Sequence, residues 1–484
     1  MLPILAVPRW GKMLIFFSMT MRTRSRAAVS LSLFLLFFPL AAFADQVDNY
    51  VRTVMAERQI PGAAVAVIDK GKVVKIQGYG VASLEHNVPV TLDTVFEIGS
   101  VSKQMTASGI MLLVEDGKVA LDEKISAYLP NTPETWKDIT VRHLLTHTSG
   151  IKSYSSLEGF ELLKRLTADE FIKQLAPHPL EYTPGERNIY SNSGFNLLAY
   201  IIEARSGKPY LEFMRERLFR PLGMTKTTDR DPEYIVQNRA SGYEWRGDRH
   251  AGRNWDLTDL MGAGSIVSTI GDMVKWNAGL SGSTFLKPAS KAEIWKQFVF
   301  LDGKPSVYGF GWRISDLRKH RLIGHTGQTA GFTAANFRYP DRDLTVVVLT
   351  NTGETGNAGL MAARIAKFYI PSLSLRVLRS QPEPVAGMGE KLLAVLRART
   401  AGDLSSAPLT PQLLRSLSTE RAMTGYRRIA ALGTPVNATF VESDKAGPRP
   451  SYRYRIEAGK RLFLWRLAVD DEGKLTELSL EEEE

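Results

Sequence analysis

Residues with strand character fall in two blocks far apart in the chain, and that separation limits the folds available more than any other feature. The first block runs from Gly62 through Ala63-Ala64-Val65-Ala66-Val67-Ile68, turns at Asp69 to Lys72, and continues in Val73-Val74-Lys75-Ile76. The second comprises Tyr308 to Ile314, His320 to Gly324, Gly331 to Tyr339 and Leu344 to Asn351, with a turn at Pro340-Asp341-Arg342-Asp343. Between them, from about Leu121 to Asn277, helix signals dominate. The two blocks are therefore expected to close one antiparallel sheet, with the helical span as a lobe inserted between them. A helix over Ala358–Phe368 packs back on that sheet and leaves helices on both faces, an α/β (α+β) sandwich.

Helix boundaries in the lobe have chemical markers. A helix following Ser100 carries Met105, Ile110, Met111 and Val114 and stops at Gly117, a residue suited to a left-handed cap. Thr140 caps a short helix that ends by Gly150, Thr167-Ala168-Asp169-Glu170 is a capping box, and Leu197 to Glu203 is a helix closed by Gly207.

The chain has 484 residues, 44% of them hydrophobic, enough for more than one domain. Residues 371–389 hold Pro382, Pro384 and two glycines and read as a linker. Beyond it, residues 390–484 read as a small α+β domain. Its helices are expected over Glu390–Thr400 and Thr410–Leu417, its meander strands over Thr439–Val441, Tyr452–Ala458, Leu462–Val469 and Leu475–Leu480, and Glu481 to Glu484 as a frayed end. The expected catalytic region is residues 45–370.

At the other end, Met21-Arg22-Thr23-Arg24-Ser25-Arg26 is a positive stretch, residues 27–40 are apolar, and Ala42-Phe43-Ala44 is an A-x-A site. Residues 1–44 are thus read as a signal peptide cut after Ala44, with 1–20 as an upstream extension. The expected destination is the periplasm or the exterior, without a stable membrane span after cleavage. Lysine and arginine number 61 against 51 acids, a formal charge of +10. Five of those bases (Arg9, Lys12, Arg22, Arg24, Arg26) lie in the acid-free first 44 residues, leaving +5. With no basic block interleaved with aromatics, nucleic acid is not an expected partner. The cysteine count is 0, which excludes disulfides, thiolate metal sites and a cysteine nucleophile. His143 and His147 stand four apart on a helix, but no neighbouring glutamate or third ligand accompanies them. Neither metal nor cofactor is expected.

The chemistry concentrates at Phe96-Glu97-Ile98-Gly99-Ser100-Val101-Ser102-Lys103, where an apolar approach enters a helix carrying Ser-x-x-Lys. Positions i and i+3 share a helix face, so a desolvated Lys103 can take the Ser100 proton. Downstream stand Tyr190-Ser191-Asn192, just ahead of a helix, and His325-Thr326-Gly327 on a strand. The three motifs, in this order, resemble the signature of the penicillin-recognising serine hydrolases, in the branch of class C β-lactamases, D-alanyl-D-alanine carboxypeptidases and family VIII esterases. His143-Leu144-Leu145-Thr146-His147-Thr148-Ser149-Gly150, Ala263-Gly264-Ser265 and Tyr308-Gly309-Phe310-Gly311-Trp312 extend that resemblance across residues 47–370.

The resemblance implies Ser100 as acyl-accepting nucleophile, Lys103 as its proton partner and Tyr190 as a second acid/base serving the leaving group. It implies Asn192, His325, Thr326 and Gly327 as substrate-binding residues, and the backbone N–H groups of Ser100 and Gln328 as the oxyanion hole. His325 departs from the lysine usual in β-lactamases of this branch. Histidine is mostly neutral at pH 7, so its hold on a substrate carboxylate is weakened. A D-amino acid peptide, a β-lactam and a small ester all remain open as substrates. The alternative from another class is a non-catalytic binder of peptidoglycan fragments.

Overall fold

The computed structural model describes residues 38–160, 165–230, 234–253, 261–283, 285–353, 355–431, 433–444 and 450–483. The positive stretch and the apolar run up to residue 37 lie outside the described residues. The compact body runs from Ala44 to Glu484.

Helix α1 (Phe38–Arg58) leads into β1 (Gly62–Asp69), β2 (Lys72–Ser83), the two-residue β3 (Val88–Pro89) and β4 (Val95–Glu97). A 3₁₀ turn, Gly99–Val101, opens α2 (Ser102–Glu115). The inserted lobe holds α3 (Val141–Leu145), α4 (Ala168–Leu175), α5 (Asn192–Ser206), α6 (Tyr210–Met214), α7 (Met261–Gly264), α8 (Ile270–Ser281) and α9 (Pro288–Ile294). It also carries short strands, β5 (Thr228–Asp229), β6 (Tyr243–Trp245), β7 (His250–Gly252) and β8 (Ile266–Thr269), of which β8 pairs with both β4 and β5. The chain then returns through β9 (Arg313–Leu317), β10 (His320–Thr329), β11 (Phe332–Tyr339), β12 (Leu344–Thr350) and α10 (Ala358–Tyr369).

The main sheet has strand order β3-β2-β1-β12-β11-β10-β9, so the first and last blocks meet where β1 lies antiparallel to β12. Both strands are apolar over residues 63–67 and 346–349, where both faces are covered. Val65 and Val67, opposite Val348 and Val346, pack with Val47, Val51 and Val54 of α1 and Met361 and Ile365 of α10. Ala64 and Ala66, opposite Leu349 and Val347, share the other core with Met105 of α2 and Trp276 of α8. The residues of α1 and α10 recur at three- and four-residue spacing, which is one helix face. Each capping expectation has its place: Thr140 and Thr167 make capping boxes with His143 and Glu170, and Gly207 closes α5 at φ 72°.

The tail comprises α11 (Met388–Ala401), α12 (Pro411–Leu417), α13 (Glu420–Ala430) and a meander of β13 (Pro435–Asp444), β14 (Ser451–Ala458), β15 (Arg461–Val469) and β16 (Leu475–Glu483). It has its own core, in which Leu392 and Leu396 of α11 meet Tyr454, Ile456, Phe463, Trp465 and Leu467. Three expectations need correction here. Helix α13 is additional. The acidic end is not frayed: β16 continues to Glu483, and the Glu481 carboxylate accepts from Arg453 Nε at 2.6 Å across the sheet. The first part of the linker is packed. Leu373 joins the core under α10, whereas Leu375, fully buried, sits with Val441 and Leu464 on the far side of the tail's sheet. Arg455 donates to the carbonyls of Leu375 and Leu378, and Arg318 to that of Leu373.

Candidate active site

Ser100 lies in the 3₁₀ turn between β4 and α2, one residue after Gly99, whose backbone is left-handed at φ +49°. Strand β10 passes directly beside this turn. Its pairing with β9 ends at Gly324↔Arg313, so residues 325–329 are bonded to β11 and present their other edge toward Ser100. The approach is as close as backbones allow: a Cβ on Gly327 would stand 1.9 Å from Ile98 O, and one on Gly99 would stand 2.8 Å from Gln328 N. Glycine at 327 is thus a steric requirement.

Lys103 is fully buried and its Nζ has three oxygen neighbours: Ser100 Oγ at 3.0 Å, Asn192 Oδ1 at 2.9 Å and Ala263 O at 2.6 Å. It also lies over the rings of Tyr190 and Phe195, at 4.8 and 5.5 Å. Among the described residues no carboxylate offsets its desolvation, which drives its pKa well below the ordinary lysine value. An amine whose pKa is lowered in this way can serve as a base. Tyr190 OH donates to Ser100 Oγ at 2.8 Å, so the serine hydroxyl sits between the two groups. Burial pushes the Tyr190 pKa up, against the pull of Ser100 and Arg313, and keeps the phenol protonated.

His325 and Tyr308 form the wall behind Tyr190. Tyr308 OH lies 2.7 Å from His325 Nε2, and His325 Nδ1 lies 2.6 Å from Thr326 O. The carbonyl can only accept, so Nδ1 carries the proton and Nε2 takes the Tyr308 hydroxyl. Burial, reinforced by Lys103, lowers the His325 pKa to about 3. It is a neutral, fully partnered ring, without a cation to offer a substrate. Thr326 and Gln328 alternate with it along β10 and are exposed.

Ser100, Tyr190, His325, Thr326, Gly327 and Gln328 line one cavity of about 390 Å³. Arg313, the first residue of β9, lines it as well. The far side is the start of α10, where Asn357 Oδ1 caps Leu360 N at 3.1 Å.

The beta-lactamase family model matches residues 47–369. The chain belongs to the beta-lactamase family. Among its relatives, a penicillin-binding protein of Bacillus subtilis (strain 168) is 30% identical over 324 residues, 62% of this chain and 70% of that protein. A D-aminopeptidase of Brucella anthropi is 30% identical over 314 residues, 63% of this chain and 58% of that one. The solved D-amino acid amidase from Ochrobactrum anthropi, complexed with L-phenylalanine amide, aligns with TM-score 0.58 and 26% identity over 69% of this chain and 99% of its own. An octameric penicillin-binding protein homologue from Pyrococcus abyssi shares the fold over 91% of this chain and 98% of its own, with TM-score 0.59 and 21% identity.

Within this beta-lactamase-family site, sequence reasoning missed three contributors. Ala263 O holds Lys103 from α7; the phrase Ala263-Gly264-Ser265 marked the segment, but a carbonyl has no residue code. Arg313 follows the phrase Tyr308 to Trp312 by one position. His147, weighed above as a metal ligand, is a buried prop instead. Its ring lies 4.3 Å from that of Tyr190, and its Nδ1 accepts from Ser191 N at 3.2 Å. His143 Nδ1 accepts from Thr140 N in the α3 capping box, so the two imidazoles serve separate local structures. Among the described residues no helix is long and apolar enough to cross a membrane.

Proposed function

We propose that the protein is a serine hydrolase that cleaves amide or ester bonds through an acyl-enzyme on Ser100. The observation that carries this reading is the placement of Ser100 Oγ 3.0 Å from a buried lysine amine and 2.8 Å from a protonated phenol. In the first step neutral Lys103 takes the Ser100 proton as Oγ adds to the substrate carbonyl. The N–H groups of Ser100 and Gln328 would receive the oxyanion, a contribution of about 3 kcal/mol per donor. Tyr190 then gives its proton to the leaving group and recovers one from protonated Lys103, which holds the proton taken from Ser100. Water releases the acyl group by the reverse relay.

The preferred substrate is a D-amino acid peptide with a free carboxylate. Arg313 and Thr326 line the same cavity and supply a permanent charge and a hydroxyl for that carboxylate, while neutral His325 supports the wall. The name of one relative, D-aminopeptidase, supports a D-amino acid peptide as substrate. We assign catalysis to residues 45–370 and export to residues 1–44. N-terminal sequencing after expression in a Gram-negative host should give Asp45 as the first residue. A fluorophosphonate or fluorescent penicillin should label Ser100, read by mass spectrometry, and Ser100→Ala should abolish labelling and ester turnover. Label on another residue, or turnover by Ser100→Ala near that of the wild type, refutes the assignment.

A further inference from the structure

We propose that Glu97 is a positioning residue for the oxyanion hole, its carboxylate clamping the end of β10 to the strand that delivers Ser100. The inference rests on the acyl-enzyme reading above and adds a residue with no part in the proton relay. The two proposed donors, Ser100 N and Gln328 N, come from segments remote in sequence that touch only through backbone. Beyond Gly324 the β10 edge has no β9 partner, and Gly327 and Gly99 bring no side chain to hold the alignment. A small displacement of β10 relative to the turn would separate the donors while leaving the β10–β11 ladder intact.

Glu97 removes that freedom. It is the last residue of β4, three before Ser100, and is 2% exposed. Its Oε2 accepts from Thr329 Oγ1 at 2.7 Å, one residue beyond Gln328. Its Oε1 accepts from Arg230 Nη1 at 2.5 Å, itself nearly buried after β5. The clamp therefore brackets both donors, with one end anchored in the β4–β8–β5 sheet. Arg239 also acts on the carboxylate, and burial raises its pKa against the pull of Arg230. A buried ion pair is a poor source of net stability, since desolvation consumes most of the attraction. Its hydrogen bonds are directional, however, and fix where the two backbones stand relative to each other.

Thr329→Val tests the clamp while leaving the Glu97–Arg230 pair in place. Hydrolysis of p-nitrophenyl acetate should lose about tenfold in kcat with KM within about twofold, since a displacement well under 1 Å weakens donors that act only on the tetrahedral state. Phenylboronic acid, which forms a tetrahedral adduct with the serine, should bind more weakly by the same factor. Thr329→Ser should restore both, and the double substitution Glu97→Gln with Arg230→Met, which removes both charges together, should reproduce the loss. A lower Tm with unchanged kcat and boronate affinity in folded Thr329→Val protein would make the pair merely structural and overturn the proposal. A wild-type protein that is never acylated at Ser100 would overturn the hydrolase reading and this inference with it.

Discussion

Replacing Asn192 by aspartate places a carboxylate where the amide oxygen now accepts from Lys103, 2.9 Å from Nζ. At an effective dielectric of about 20, unit charges at that distance attract by about 6 kcal/mol, which bounds the rise in the lysine pKa at about 4 units. Burial of the new carboxylate works against its own ionisation, so the net rise should be about 1–3 units. The sign follows from the role of the amine. In the proposed relay Lys103 works as a neutral base, and its folded pKa is depressed, so activity is present above that pKa and lost as pH falls through it. Raising the pKa moves this acid limb toward alkaline pH, and at pH values below the wild-type midpoint the rate should fall by about tenfold to a thousandfold. The assay is kcat/KM for p-nitrophenyl acetate from pH 5 to 10, with thermal unfolding alongside. Asn192→Ala is the control, lowering the rate without an alkaline displacement of the limb. An acid limb at the wild-type midpoint in folded Asn192→Asp protein would refute Lys103 as the titrating base.

Arg313→Gln should raise KM for substrates bearing a free carboxylate by about tenfold and leave neutral esters within about twofold; equal effects on both would remove Arg313 from carboxylate recognition. His325→Lys should bring no gain on such substrates and should lower Tm, because it puts an ammonium into a buried position made for a neutral ring; a gain in turnover would show that the ring faces substrate. Gly327→Ala should cost about 10² in activity, since the 1.9 Å overlap with Ile98 O forces β10 away from Ser100; wild-type turnover would contradict the close approach. A chain ending at Ser374 should stay soluble and hydrolyse the ester, because Leu373 remains in its core and the Arg461–Glu57 pair it loses is partly exposed and worth about 0–1 kcal/mol. Aggregation or inactivity of that truncated protein would make the tail integral to the enzyme.

The local part of the site was legible because it is a spacing: Ser100 and Lys103 meet across three residues, and Asn192 begins a helix. The meeting of Ser100 with Tyr190 and β10 came from the family resemblance, since no periodicity brings positions 90 or more apart together. Arg313 escaped because its direction depends on where β9 starts, which is Arg313 rather than the expected Tyr308. His325 reads as a substrate-binding imidazole, mostly neutral at pH 7, and its burial against Tyr308 depends on a contact 17 residues away in the chain. Helix α13 was hard to read because a glycine stands inside it, yet Tyr426 seats it in the tail's core. The acidic terminus looked solvated because Arg453, its cross-strand partner, is 28 residues earlier.

The packing of Leu375 bears on how this tail could be moved between enzymes. Its sheet owns the core on one side, but the cover over Val441 and Leu464 on the other belongs to the chain before α11. A graft cut at residue 389 would leave that cover behind with the donor, whereas one cut at 375 carries it along. The portable unit is therefore longer than residues 390–484, and its true joint is the short step between Leu373, which faces the sheet of β1 and β12, and Leu375, which faces the tail.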